Sequence, residues 1–296
     1  MTPEETVSTP SQAPAGTASE TPAQTSARTV PNASAAMPPA LRVVLARVGL
    51  LLLAMVLAVA VWWSFLEVFD ISALIGKDPV HVWEYLFTDE DAAANRSELL
   101  GFLAETGRDF GIGYVVGIGT AFLLAVLFSL SPSLENVLMP TAMVLRCVPV
   151  IILAPLVTLL FGVGVEAVAA IVTLVVFLPA LANVLHGLRA AQERHGDLVR
   201  AYGGSGLDLL RKVALPGSLP AVLASARISI PAAVTGAMIG EWLATGDGLG
   251  GFISRSSGSF GYDAMWASAV VVTAVTMIAY TVVSILDTLV QRRFAA

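Results

Sequence analysis

The apolar residues of this chain are gathered into blocks rather than spread at amphipathic spacing. Six blocks stand out, at about 43–65, 108–130, 137–161, 166–187, 219–244 and 265–290. Each is close to the ~20 residues an α-helix needs to cross the hydrocarbon of a bilayer. Backbone in hydrocarbon has no water to bond, so such blocks form helices that satisfy their own N–H and C=O groups. The pattern predicts an all-α, polytopic membrane fold with six transmembrane helices, occupying residues 41–296. Residues 1–40 are the reverse, Pro, Ser, Thr and Ala with almost no large apolar side chains. Such a segment buries too little surface to offset its ordering entropy, which predicts a disordered tail. It lacks the basic start and early apolar core of a signal peptide.

Between the fourth and fifth blocks, Asp197 to Pro216 reads DLVRAYGGSGLDLLRKVALP. Counted from Gly187 to Gly217 the interruption runs to about thirty residues, where helix connections usually take roughly 2–8. Helix formers flank Gly203-Gly204, so Arg189–Pro216 is predicted to form two short helices broken there. Asp208 stands four residues before Lys212, a supporting pair on one helix face. Leu207, Leu209, Leu210, Val213 and Leu215 supply an apolar face that either lies on the membrane domain or enters the groove of a partner. A loop so long and so structured, at about 189–217, suggests a docking site for a soluble protein.

Composition sharpens this picture. The 296 residues are 56% hydrophobic and 13% charged, where soluble domains carry about 25% charge. One core cannot hide that much apolar surface, so membrane lipid is an implied partner. Lys and Arg are few and scattered, which excludes a nucleic-acid surface. Cys147 is the single cysteine, so neither an intrachain disulfide nor a cysteine metal site is available, and His81, His186 and His195 are dispersed. There is no phosphate-binding loop and no His-Glu-x-x-His. The chain is therefore expected not to hydrolyse ATP or bind catalytic zinc, and to carry no cofactor.

Orientation follows from the basic residues. With the N-terminus in the cytoplasm, Arg28, Arg42, Arg47, Arg189, Arg194, Arg200, Arg211, Lys212, Arg292 and Arg293 fall inside, and only Lys77, Arg96, Arg108 and Arg255 outside. Both termini and the Asp197–Pro216 loop are thus expected in the cytoplasm. The outer segment 66–107 is acidic, and Pro79 to Phe87, with Trp83 and Tyr85, reads as an interfacial helix or a simple loop. Gly113 and Gly117 have the small-xxx-small spacing that lets helix backbones approach. Pro140, Pro149, Pro155, Pro179 and Pro231 fall inside blocks and are expected to kink them.

Three charges lie within the apolar blocks, where they are costly and usually face protein or a water-filled cavity. With Pro149 they are the candidates for a translocation path or gate: Arg146, Arg227 and Glu241. At about 1.5 Å per residue both Arg residues lie roughly 12–14 Å from the inner ends of their blocks, while Glu241 lies near an outer end. An Arg–Glu pair at one depth is not expected. Each guanidinium either helps an anion to pass, or bonds helix ends and snorkels inward. Glu241 is either a gate or a structural cap.

The run Gly203, nine residues, Val213-Ala214-Leu215-Pro216 resembles the EAA loop of bacterial ABC importer permeases, which reads Glu-Ala-Ala, three residues, Gly, nine residues, Ile-x-Leu-Pro. Asp197-Leu198-Val199 stands where that family has Glu-Ala-Ala. Arg146-Cys147-Val148-Pro149 with Pro155-Leu156 and Phe161–Glu166 is similar to the third-span region of the nitrate, sulfonate and taurine subgroup, which usually has Pro where this chain has Cys147. Ala237–Ala244 followed by Gly248-Leu249-Gly250 resembles its fifth-span end. Together the likeness covers about residues 80–290.

The resemblance implies a permease of the cytoplasmic membrane. Two such subunits, identical or close paralogues, form the path, and cytoplasmic ATP-binding subunits grip their loops. Here Asp197, Arg200, Ala201, Gly203, Ser205, Leu209, Val213, Leu215 and Pro216 would form that coupling site. An extracytoplasmic solute-binding protein delivers the substrate, a small anion in this subgroup, or a pyrimidine vitamin precursor or riboflavin in related permeases. A secondary transporter or channel working alone is the rival reading, but it requires internal repeats and a midplane ion site, and no convincing half repeat is visible. Two strings mislead. Gly246 to Gly251 satisfies G-x-G-x-x-G without a preceding strand and reads as a tight external turn. Gly203-Gly204-Ser205-Gly206 mimics a serine-protease string, but spans five and six contain no histidine to act as base.

Overall fold

The computed structural model describes residues 39–294, with side chains from Leu45 to Gln291. The predicted tail, apart from its last two residues, lies outside the described residues. The helices are α1 (Pro39–Val68), α2 (Pro79–Trp83, prolonged by a π-turn at Glu84–Thr88), α3 (Ala92–Leu130), α4 (Pro132–Arg146), α5 (Val150–Phe161), α6 (Val165–Ala201), α7 (Gly206–Thr245), α8 (Gly248–Gly258) and α9 (Tyr262–Phe294). Of these, α1, α3, α6, α7 and α9 are long and apolar enough to cross a membrane.

The third apolar block departs from expectation. It is not one kinked helix but two, α4 and α5, bent by 107° at a short break. Pro149 caps α5 in an extended conformation (φ −60°, ψ 130°). It donates no N–H, and its ring steers the preceding residue out of helical geometry, so the helix ends before it. The pair still crosses the bundle. Near its start, Glu135 pairs with Arg189 of α6, and Gln192 Nε2 donates to Ser129 Oγ at the end of α3 (2.7 Å). In α5, Ala154 and Val157 pack with Ala167 and Ile171 near the other end of α6, and with Ala244. Those two levels on α6 are roughly 27–33 Å apart at the helical rise, about the hydrocarbon thickness. A re-entrant loop would return to its starting level, so the pair makes the sixth crossing.

α6 is the spine of the bundle, packed between α3 and α7. Small residues set these approaches. A Cβ on Gly113 would overlap Val172 and the Ala169 carbonyl, Gly117 lies against Val176, and Gly240 against Val168. Thr173 Oγ1 donates to the Gly113 carbonyl (3.1 Å) across the same contact. Gly119 faces open space. Gly113→Val is therefore expected to destabilise the bundle by about 1–3 kcal/mol, the usual cost of overpacking, whereas Gly119→Ala leaves it unchanged. Thermal unfolding of both variants in detergent checks this.

At the end of the bundle opposite Arg189, α3 begins sixteen residues before the predicted block (Ala92 against 108). This extension buries Leu99 with Val82, Leu86, Leu249, Phe252 and Ala267. The Pro79–Phe87 segment is helical. Asp78 caps it, accepting from the Val80 and His81 amides (2.8 and 2.9 Å). Partial burial opposes ionisation of Asp78, but these bonds and the His81 ring hold its carboxyl below the ordinary range. Val82 and Leu86 face the bundle while Trp83 and Phe87 point outward. α1 lies on the outside against α9, with Trp62 stacked on Trp266 at 5.3 Å.

Candidate coupling turn and membrane charges

The first of the two short helices predicted over Arg189–Pro216 is the last stretch of α6 itself, which runs unbroken from Val165 to Ala201. The chain then reverses within four residues. Gly203 has φ +74°, a left-handed conformation that disfavours any side chain. The Gly203 and Gly204 amides close the end of α6 on the Arg200 and Val199 carbonyls, both at 2.9 Å. A Cβ on Gly204 would overlap Val199, so the two glycines serve different needs. Ser205 opens α7 with a reciprocal cap: its Oγ accepts from the Asp208 amide (3.2 Å), and Asp208 Oδ2 accepts from the Ser205 amide (3.1 Å). Asp208 also pairs with Lys212 at 2.7 Å. The Leu215 amide then bonds the Leu210 carbonyl five residues back, a π-turn abutting Pro216, which has no N–H to continue the ladder.

The predicted apolar face divides. Leu209, Leu210 and Ala214 are buried. Leu210 and Ala214 pack on Leu181, Val184, Leu188 and Phe128, which fastens the start of α7 to the bundle. Leu209 lies over Gly196. Val213 and Leu215 are half-buried and Pro216 is exposed. Leu207 instead points out, and with Leu198 and Tyr202, the last 86% exposed, forms an apolar tip. Around it stand Arg200 and Asp197, 3.7 Å apart and both exposed, with Ala201, Arg211 and Lys212 also exposed. That exposed ion pair adds little stability. Tyr202 was not singled out from the sequence; its only signal is a large aromatic at the C-cap of a long helix.

The charges in the apolar blocks fall into three different settings. Glu241 is fully buried and caps α8. Its Oε2 accepts from Thr106 Oγ1 (3.0 Å) and the Gly250 amide (2.8 Å), Thr106 Oγ1 accepts from the Leu249 amide (2.9 Å), and Glu105 Oε2 from the Gly248 amide (3.0 Å). The first amides of a helix have no partner of their own, and here three side chains supply them. The Gly246–Gly251 string starts as a tight turn, with Gly246 at φ +75°, and continues into α8. Its residues from Gly248 to Gly251 are buried, and Cβ atoms on Gly248 or Gly250 would overlap Glu241 or the Met238 carbonyl.

Arg227 has a partner that the sequence reading passed over. Its Nη1 lies 3.0 Å from Oδ2 of Asp287 on α9, a side chain 2% exposed, and Gln291 Nε2 donates to the other oxygen (2.6 Å). Arg146 is the opposite case. It ends α4 at the break and is exposed. It borders a small cavity of about 150 Å³ lined by Val150, Leu153, Leu174 and Pro179. Among the described residues no carboxylate lies within ion-pair distance of it. Eleven residues past Glu135, it stands roughly 16 Å into the bundle along α4.

Six membrane crossings around a spine helix, with a helix-turn-helix at one end, define a polytopic membrane subunit. The chain belongs to the binding-protein-dependent transport system inner membrane component family, whose profile matches residues 113–296. It is similar to a probable ABC transporter permease protein of Haemophilus influenzae, 27% identical over 74% of this chain and 87% of that one. It is also similar to the formylaminopyrimidine transport permease ThiX of Halalkalibacterium halodurans, 29% identical over 64% and 77%. Further relatives are named for riboflavin, taurine, aliphatic sulfonates and nitrate. The fold matches a chain of the MetNI methionine ABC transporter with TM-score 0.56 and 21% identity, covering 69% of this chain and 99% of that one. The protein is thus a multi-pass inner-membrane permease component of an ABC importer. It is non-catalytic, and ATPase activity resides in a separate subunit.

Proposed function

We propose that this chain carries a small anionic solute inward and that the Asp197–Pro216 turn is where an ATP-binding subunit grips it. The turn, within a coupling region at about 189–217, lies in the cytoplasm with both termini. A second permease subunit completes the path, and a solute-binding protein loads it from outside. Two continuous helices, α6 and α7, meet at the turn. Each extends from there through the bundle, so a displacement of the tip is carried into the membrane as a rigid lever.

The observation that carries the anionic reading is Arg146. An exposed guanidinium at mid-depth, with no carboxylate beside it among the described residues, is too costly to face lipid and belongs against a water-filled path. There it offers a planar set of donors matched to nitrate or sulfonate oxygens. The relatives named for taurine, sulfonates and nitrate transport such groups. Uptake into vesicles holding this chain, its ATPase and its binding protein tests the reading. Arg146→Gln should slow anion uptake by about tenfold or more, the worth of a hydrogen bond to a charged group. Arg146→Lys should retain part of the rate, and ATPase recovery should be unchanged in both. Wild-type uptake by Arg146→Gln would turn the assignment toward an uncharged solute of the kind named for the formylaminopyrimidine and riboflavin relatives.

A further inference from the structure

Along α9 run two adjoining depressions that share Pro231, Thr276 and Met277. The larger, about 720 Å³, extends to Trp242 and Met265. The smaller, about 350 Å³, extends to Arg47, Tyr280 and Ser284. Together they form one groove from Met265 to Ser284, roughly 28 Å at the helical rise, close to the hydrocarbon thickness. Its walls are mainly apolar, with the hydroxyls of Ser254, Ser257 and Thr281 also in the lining. Thr273 and Thr276 turn their hydroxyls to carbonyls of their own helix, at 2.7 and 2.6 Å.

The Arg47 end carries the one charged side chain that lines either depression. The Arg47 guanidinium makes one long bond, Nη2 to Thr288 Oγ1 at 3.4 Å. Among the described residues no carboxylate is within ion-pair distance of it. The nearby Asp287 is already shared by Arg227 and Gln291. Ser284 is 1% exposed, lines the smaller depression and has no partner for its Oγ. The Thr288 end of the groove lies near an interface, with Ser284 about 6 Å deeper along α9. Trp266 stacks on Trp62 and donates to the Ile75 carbonyl (2.8 Å), marking one aromatic belt. Thr288 lies twenty-two residues further along α9, roughly 33 Å away, on the same side as the Asp197–Pro216 turn.

We infer that this groove is a phospholipid site. A lipid of the leaflet on the turn side lays one acyl chain along Tyr280, Met277 and Thr276. Its headgroup phosphate accepts from Arg47. A guanidinium matches a phosphate well, and the phosphate reaches this level as part of the bilayer. A second protein chain seated in the groove would have to bring its own buried acceptor to Arg47, and an ionisable group inside the membrane is costly. The site is independent of the transport reading.

Native mass spectrometry of the full chain, released from nanodiscs of phosphatidylethanolamine and phosphatidylglycerol, tests it. The wild type should retain one phospholipid per chain. Arg47→Gln should lower that occupancy about tenfold or more, the worth of a charge-assisted hydrogen bond, and Arg47→Lys should restore most of it. Met277→Trp, which fills the groove and leaves Arg47 intact, should also release the lipid. Melting curves confirm that each variant is folded. Unchanged lipid retention in Arg47→Gln and Met277→Trp would overturn the proposal. So would a disulfide between Met277→Cys chains in the membrane, which would place a second copy in the groove.

Discussion

Gly203→Pro is expected to abolish recovery of the ATPase on this chain while the membrane bundle stays folded. Gly203 sits at φ +74°, and proline fixes φ near −65°, so the turn between α6 and α7 cannot form with it. Proline also deletes the amide that closes α6 on the Arg200 carbonyl. No heavy atom lies within contact distance of a Cβ at this position, so the change disturbs the turn and not the core. Gly203→Ala should give a graded result, since a left-handed conformation costs an L-residue about 1–2 kcal/mol. Gly204→Ala should behave differently, because its Cβ overlaps Val199 and loosens the end of α6. Co-expression with the ATPase, affinity recovery through this chain and a melting curve separate the effects. A folded Gly203→Pro variant that recovers as much ATPase as wild type would remove the turn from the coupling path.

The same turn shows what a sequence makes legible. Gly203 and the Ser205/Asp208 cap are local devices, and local devices leave residue types at fixed spacing. The six apolar blocks are legible for a similar reason: crossing hydrocarbon demands length and composition, and both are written along the chain. What depends on another element is hidden. The break at Pro149 was foreseen only as a kink, since proline marks a weak point without stating the angle. Glu241 is a cap because Gly250 and Thr106 come to it, and Thr106 lies 135 residues away. The division of the loop's apolar residues into buried Leu210 and exposed Leu207 needed the position of α6. Asp287 was lost inside a long apolar block, and only the packing of α7 on α9 gives it a purpose.

Asp287→Leu is expected to destabilise the protein by about 3–5 kcal/mol, because it leaves the Arg227 guanidinium buried without its counter-charge. Arg227 Nε already lacks a partner, and the side chain is only 23% exposed, so water replaces the carboxylate poorly. Arg227→Met should be similarly costly from the other side, stranding Asp287 with Gln291 alone. The double variant Arg227→Met/Asp287→Leu should recover most of the loss. An ion pair replaced as a whole by apolar residues is often neutral or stabilising, whereas a broken one is not. Unfolding of the four proteins in detergent gives the coupling between the two sites directly, and additive effects would show that the pair is not a unit. Transport by the double variant then decides what Arg227 is for. If the doubly apolar protein is stable and still moves solute, the pair only ties α7 to α9. A stable double variant that no longer transports would put the Arg227 charge on the solute's route, beside Arg146.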